Sequence, residues 1–112
     1  MEHWINQNHD RLAQKAGYPQ HALNEIHGAW GDVKNRVLQM DESLRDDLYH
    51  WMERWAEKTD CVLALGSSLC GMNADQIVSA GVRANGLIIC SIQRTPYEQL
   101  RLLAFKNSHF IV

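Results

Sequence analysis

With 112 residues, 46% of them hydrophobic and 21% charged, the chain is long enough to bury one core and too apolar to be disordered. A formal net charge of −2 and the lack of any Lys/Arg run exclude an electrostatic case for nucleic acid or an anionic membrane, and no apolar run approaches a membrane span. The start Met1-Glu2-His3-Trp4 has neither the basic residues nor the apolar core of a secretory signal. The three cysteines, Cys61, Cys70 and Cys90, form no Cys-x-x-Cys and read as reduced residues of a cytoplasmic protein, with the nucleus left open. No histidine has a partner at zinc-ligand spacing, so no metal is expected.

In chain order, Asp10 to Ala16 predicts a short helix over 10–16 that Asp10 can cap, with Gly17 as its C′ residue and Pro19 barring continuation. Residues 20–28 carry a short turn or helix into Asn24-Glu25-Ile26-His27-Gly28. A Gly/Asp-containing loop over 29–35 then leads to the run 36–40. The clearest helix spans 42–58, where Leu44, Leu48, Trp51, Met52 and Trp55 recur at helical spacing. Asp41 or Ser43 can cap it, and acidic residues in its first turn suit the helix dipole. The Trp51/Trp55 stripe reads as core packing, and Arg45, Asp46, Glu53 and Arg54 as a solvated face.

Cys61 to Leu65 is a continuous apolar run, too short for a helix and of the kind a buried parallel strand requires. It stops at Gly66-Ser67-Ser68, a turn small enough for backbone and hydroxyls to approach a ligand, or simply a cap for the helix that follows. That helix runs from about Asn73 to Ala84. The turn pair Asn85-Gly86 and a second apolar run, Leu87 to Cys90, come next. Strand, small-residue turn, helix and strand make a βαβ unit, whose ligands bind beyond the carboxyl ends of the strands. Gly66, Ser67, Ser68 and Ser91 sit at those ends, which points to a nucleotide-type site. Gln93 to Pro96 then form a loop, 96–105 a helix with proline at its first position, and 109–112 a terminal strand. The pattern is α/β in one domain, with 1–58 mainly helix and loop and 59–112 the βαβ segment.

Several of these segments, taken together, resemble the sirtuin family. Gln7-Asn8-His9-Asp10-Arg11-Leu12, Ala16-Gly17-Tyr18-Pro19 and Glu25-Ile26-His27-Gly28 are similar to its Gln-Asn-Ile-Asp-x-Leu-His, Ala-Gly-x-Pro and Glu-Leu-His-Gly segments. Met40-Asp41-Glu42-Ser43-Leu44 stands where sirtuins have Phe-Gly-Glu-x-Leu. Leu65-Gly66-Ser67-Ser68-Leu69 resembles the Gly-Thr/Ser-Ser-Leu turn, and Ser91-Ile92-Gln93-Arg94-Thr95 the Asn-Leu-Gln-x-Thr segment. The matches are collinear from Gln7 onward.

The resemblance implies the C-terminal half of a Rossmann-like doubly wound parallel sheet. It also implies NAD-dependent protein lysine deacylation, in which nicotinamide leaves NAD and the acyl group moves to ADP-ribose. NAD would be the cofactor and an acyl-lysine protein the partner. His27 matches the catalytic histidine, a general base toward a ribose hydroxyl. Asn8 and Asp10 match the pair that holds the nicotinamide end and a positioned water, a role compatible with being turn and cap residues. Gln7 matches a ribose contact, Gly66, Ser67 and Ser68 the adenosine-side turn, and Ser91 and Gln93 the segment after the next strand.

The chain also departs from the pattern. His9 replaces an Ile, Ala13 a His, Asp41 a Gly beside the acyl-lysine cleft, and Ser91 an Asn that contacts the adenosine ribose. Residues 28–39 leave no room for the four-cysteine zinc module. Nothing ahead of Trp4 resembles the Gly-Ala-Gly-x-Ser loop that wraps the diphosphate, and the seven glycines make no G-x-G-x-x-G. The expected enzyme is therefore one completed by an N-terminal half. A catalytically inactive NAD or ADP-ribose-binding module stands as one alternative. The other is an interaction protein built on a half Rossmann fold, associating with itself through open sheet edges. The purified chain is expected to contain no stoichiometric zinc; metal analysis showing zinc lost together with the fold on chelation would refute this.

Overall fold

Residues 2–84 and 86–97 are described by the computed structural model, in which the chain divides into two units, Glu2–Arg54 and residues 55–97. The fold is α/β, and its strand pairs are parallel, as expected.

In the first unit, strand β1 (Trp4–Asn6) pairs with β2 (Leu23–Glu25), placing Ile5 opposite Asn24 and Asn6 opposite Glu25. Parallel neighbours cannot be joined by a hairpin. The crossover holds helix α1 (Leu12–Lys15) and a 3-10 turn at Gln20–Ala22. The segment expected to be helix and loop thus opens on a strand and contains a strand pair. Each strand has three residues, too few for a period-2 pattern. Three of the six are Asn6, Asn24 and Glu25, polar yet buried. Helix α1 ends as expected: Gly17, at φ 76°, donates to the Gln14 carbonyl at 3.0 Å and Tyr18 to that of Ala13 at 3.0 Å, the paired bonds of a glycine-closed helix end. Its start differs. Arg11 is the N-cap residue at φ 59°, and Asp10 acts one position earlier, its Oδ1 accepting from the Leu12 amide at 3.0 Å.

Helix α2 spans Asp46–Lys58 and begins four residues later than its pattern predicts. Neither Asp41 nor Ser43 caps it, because Glu42 closes a turn of its own. The Glu42 amide donates to the Gln39 carbonyl at 3.1 Å, and its carboxylate accepts from the Gln39 amide at 2.7 Å and pairs with Arg36. Asp46 and Asp47 still supply the acidic first turn. Within the first unit Met52 is 2% exposed, Trp51 meets the His3 ring edge-on at 5.9 Å, and the Leu48 carbonyl accepts from Asn24 Nδ2 at 2.8 Å.

In the second unit, β3 (Val62–Leu65) pairs with β4 (Leu87–Cys90) in the register Val62↔Leu87 to Leu65↔Cys90. Between them a 3-10 turn at Asn73–Asp75 leads into α3 (Gln76–Arg83), so the helix expected over 73–84 tightens in its first turn. Val62, Ala64, Leu69, Val78, Leu87 and Ile89 form the core, with Ile77, Val82 and Tyr97 packed against it. Close approach of α3 to β3 requires Gly81, where an added Cβ would stand 2.9 Å from Val62 Cβ. Gly86 is tighter still, since a Cβ there would lie 2.1 Å from the Asp60 carbonyl oxygen. Pro96 and Tyr97 sit in a turn; the rest of the helix expected over 96–105, the strand over 109–112 and Asn85 lie outside the described residues. Among the described residues no helix is long and apolar enough to cross a membrane.

Gly86→Ala is expected to destabilise the chain by about 1–3 kcal/mol and Val78→Ala by about 1–3 kcal/mol, read as shifts in the urea midpoint at constant m-value. Each sheet has only two strands among the described residues, which leaves outward edges, and Leu65 at one strand end is 57% exposed. Light scattering is accordingly expected to show concentration-dependent association, whereas a clean monomer with a sharp, cooperative melt would count against open edges.

Candidate functional site

Two sets of loops leave the carboxyl ends of the paired strands, one set in each unit. In the first unit, residues 7–11 follow β1 and residues 26–30 follow β2, so parallel pairing brings both to one edge of the sheet. The first loop carries Gln7, Asn8, His9 and Asp10. Asn8 is exposed and its amide donates to Asn6 Oδ1 at 3.1 Å, while Gln7 and Asp10 are half-buried. The second loop carries His27, half-buried, whose carbonyl accepts from the Leu38 amide at 3.0 Å. The His9 and His27 rings stand 6.5 Å apart, centre to centre. The structure thus places Gln7, Asn8, Asp10 and His27 on two adjacent loops.

Gly28 fixes the course of the second loop. Its φ is +83°, and a Cβ would stand 2.0 Å from the Arg36 carbonyl oxygen. Arg36 in turn pairs through both terminal nitrogens with Glu42, whose carboxyl that hydrogen bonding holds down to about 2.

In the second unit, Gly66 to Ser68 follow β3 and Ser91 to Gln93 follow β4, again side by side: the Gly66 amide donates to the Cys90 carbonyl at 2.9 Å. Gly66 is at φ +64°, and nothing lies within 4 Å of where its Cβ would be, so its backbone is open to close approach. Ser91 Oγ accepts from the Gln93 amide at 3.2 Å, and Gln93 itself is exposed.

Sequence reasoning missed Asp75 and Glu25. Asp75, 6% exposed, gathers the whole 66–72 loop: Oδ2 accepts from the Gly71 and Met72 amides at 3.0 and 2.9 Å, and Ser67 Oγ lies 3.5 Å from Oδ1. Its signal was available, an Asp directly before the apolar periodicity of α3. Glu25 is 6% exposed, its carbonyl accepts from the Gly28 amide and Asn35 Nδ2 at 2.9 Å each, and its Oε1 has no hydrogen-bond partner among the described residues. No pattern in the sequence marks that burial. Among the described residues no group of three or more His, Cys, Asp or Glu could hold a metal ion.

No protein-family model matches the chain, and no curated protein matches it. Solved structures do. Sir2Tm bound to a propionylated peptide superposes with a TM-score of 0.76 at 22% identity, covering 89% of this chain and 56% of that one. Sir2 in complex with an inhibitor, 2′-O-acetyl-ADP-ribose and a deacetylated p53 peptide gives 0.76 at 23% identity with the same coverage. A Sir2, p53 peptide and NAD+ complex gives 0.76 at 22%, covering 89% and 55%. The likeness is one of fold: the chain adopts the fold of part of the Sir2 sirtuins and spans little more than half the length of these structures.

Gly28→Ala is expected to cost about 1–3 kcal/mol or more from strain and backbone clash together. His27→Ala should leave the melting temperature within a few degrees. Acidification gives a further check. The depressed Glu42 carboxyl favours the folded loop above the ordinary carboxylate range, and this contribution is lost as pH falls through about 2. Because the pair is exposed, Glu42→Gln should barely change global stability, while NMR titration of Glu42 should give a midpoint far below that of a free glutamate.

Proposed function

We propose that the chain carries NAD-facing loops of a sirtuin-type, NAD-dependent protein lysine deacylase. The observation that carries this reading is the fold match over 89% of the chain to Sir2 structures, two of which hold NAD+ or 2′-O-acetyl-ADP-ribose. The collinear Gln7-Asn8-x-Asp10, His27-Gly28 and Gly66-Ser67-Ser68 segments support it. So does the fit of the loops, since Gly66 offers an open backbone for a nucleotide and the β3 and β4 loops end at one edge.

When bound, NAD supplies an activated glycosidic carbon from which nicotinamide can leave. The chain's own residues then divide the work. His27 accepts the proton of a ribose hydroxyl, a task for which imidazole is the side-chain base suited to neutral pH. Asn8 and Asp10 orient the nicotinamide end and a water, and Gln7 meets the ribose. Gly66, Ser67, Ser68, Ser91 and Gln93 receive the adenosine side. The acyl donor is a lysine side chain of a protein, and the setting is the reducing cytoplasm, in keeping with three free cysteines.

A nucleotide-binding module without turnover is the second reading. It is favoured by Asp75, which already engages the Ser67 hydroxyl and the Gly71 and Met72 amides within the loop.

Calorimetric titration with NAD and ADP-ribose, followed by nicotinamide release with an acyl-lysine peptide, tests both readings. For residues 1–112, which contain no G-x-G-x-x-G turn, binding is expected to be weak, with a dissociation constant on the order of 1 mM. His27→Ala is expected to lower nicotinamide release by about 100-fold or more while affinity changes little. Binding without release favours the module, and no binding of either ligand at tenfold above that concentration would overturn both.

A further inference from the structure

We propose that His9 is a positioning residue for His27, an inference that rests on His27 being the base of the proposed site. Most backbone polar groups from Glu25 to Trp30 have an identified partner. The Glu25 carbonyl takes the Gly28 amide and Asn35 Nδ2, the His27 carbonyl takes the Leu38 amide at 3.0 Å, and the Ala29 amide donates to the Asn35 carbonyl at 2.9 Å. The Gly28 carbonyl is held by a ring: His9 Nδ1 lies 2.9 Å from it. A carbonyl oxygen only accepts, so Nδ1 carries the hydrogen and Nε2 is left as the acceptor nitrogen.

The main chain of His9 grips the same loop a second time, its carbonyl accepting from the Trp30 amide at 3.0 Å. His9 therefore ties the loop one residue and three residues beyond His27. On the other side of Gly28 there is no slack, because the Arg36 carbonyl stands where a Cβ would be. The His27–Gly28 peptide is held by the Leu38 amide and the Glu25 carbonyl, and the Gly28–Ala29 peptide by His9, leaving the imidazole only its own two torsions. At 6.5 Å between centres and a 56° tilt the two rings do not stack. The influence of His9 on His27 runs through the Gly28 carbonyl, which makes it a positioning residue and not a second base.

A side chain of similar bulk without the donor loses the clamp, and asparagine, whose Nδ2 can stand near the place of Nδ1, keeps it. Imidazole nitrogen spectra of the full chain read this directly. Wild-type His9 is expected in the Nδ1-protonated tautomer, and His27 as one sharp set of signals. In His9→Leu the His27 signals should shift or split while the melting temperature holds, and His9→Asn should restore them. Nicotinamide release should fall about tenfold in His9→Leu and less than about threefold in His9→Asn, while NAD affinity changes little in either.

Wild-type His9 found in the Nε2-protonated form overturns the proposal, as does a His27 spectrum indifferent to His9→Leu. Should His9→Leu fail to fold, the wild-type tautomer and the His27 signals of His9→Asn decide. Added NAD separates the two ideas. If His27 ignores NAD but responds to His9, the site reading fails and the clamp stands. If His27 responds to NAD but not to His9, the clamp fails alone.

Discussion

Parallel pairing of very short strands is the constraint on which everything else in this chain depends. A parallel neighbour can be reached only by a crossover, and the two strands of each pair then end side by side. Because Asn6 stands opposite Glu25, the loops bearing Asn8 and His27 leave the same edge. Because Leu65 stands opposite Cys90, those bearing Ser67 and Ser91 do so as well. Three or four residues per strand provide few ladder bonds, so the crossovers supply much of the cover. Val78 of α3 packs into the core with β3 and β4, Gly81 lies close against Val62, and Ala13 of α1 is fully buried. Loop geometry follows from strand register, and register follows from small, tightly fitted residues.

The second unit was legible in the sequence because its strands carry their own signal. An uninterrupted apolar run with a glycine at one end is too short for a helix at that length, and the structure has strands at Val62–Leu65 and Leu87–Cys90. The first unit was not legible in this way. Strands β1 and β2 bury Asn6, Asn24 and Glu25, and among the described residues the one distant partner of their side chains is the Leu48 carbonyl that satisfies Asn24 Nδ2. Local propensity opposes such strands, and tertiary hydrogen bonds override it. The late start of α2 has the same origin: Glu42 fits a helix by pattern, but Arg36, six residues back, holds it in a turn.

The candidate site divides along the same line. Motif order marked Asn8, Asp10, His27 and the Gly66-Ser67-Ser68 turn, since resemblance works on residues adjacent in sequence. It could not mark what holds them. His9 stood out only as a departure from a pattern, yet its ring meets a carbonyl 19 residues away. Asp75 lies eight residues from Ser67 and organises the loop between them. Candidate ligand contacts can be read by likeness, whereas the bonds that hold their loops become visible only when the hydrogen-bond partners are traced.

The electrostatics of the second loop set narrow what that edge can receive. Asp75 is a carboxylate within a turn of small residues, buried and hydrogen-bonded to the Gly71 and Met72 amides. Those amides are the kind of donors that would otherwise cradle a phosphate. With a fixed negative charge already occupying them, a diphosphate brought against this turn would meet repulsion in a partly dehydrated setting. Neutral sugar hydroxyls would instead find acceptors and an open glycine backbone at Gly66. In the proposed reading this turn takes the adenosine side of a dinucleotide. On that reading, groups that bind phosphate lie outside residues 66–72.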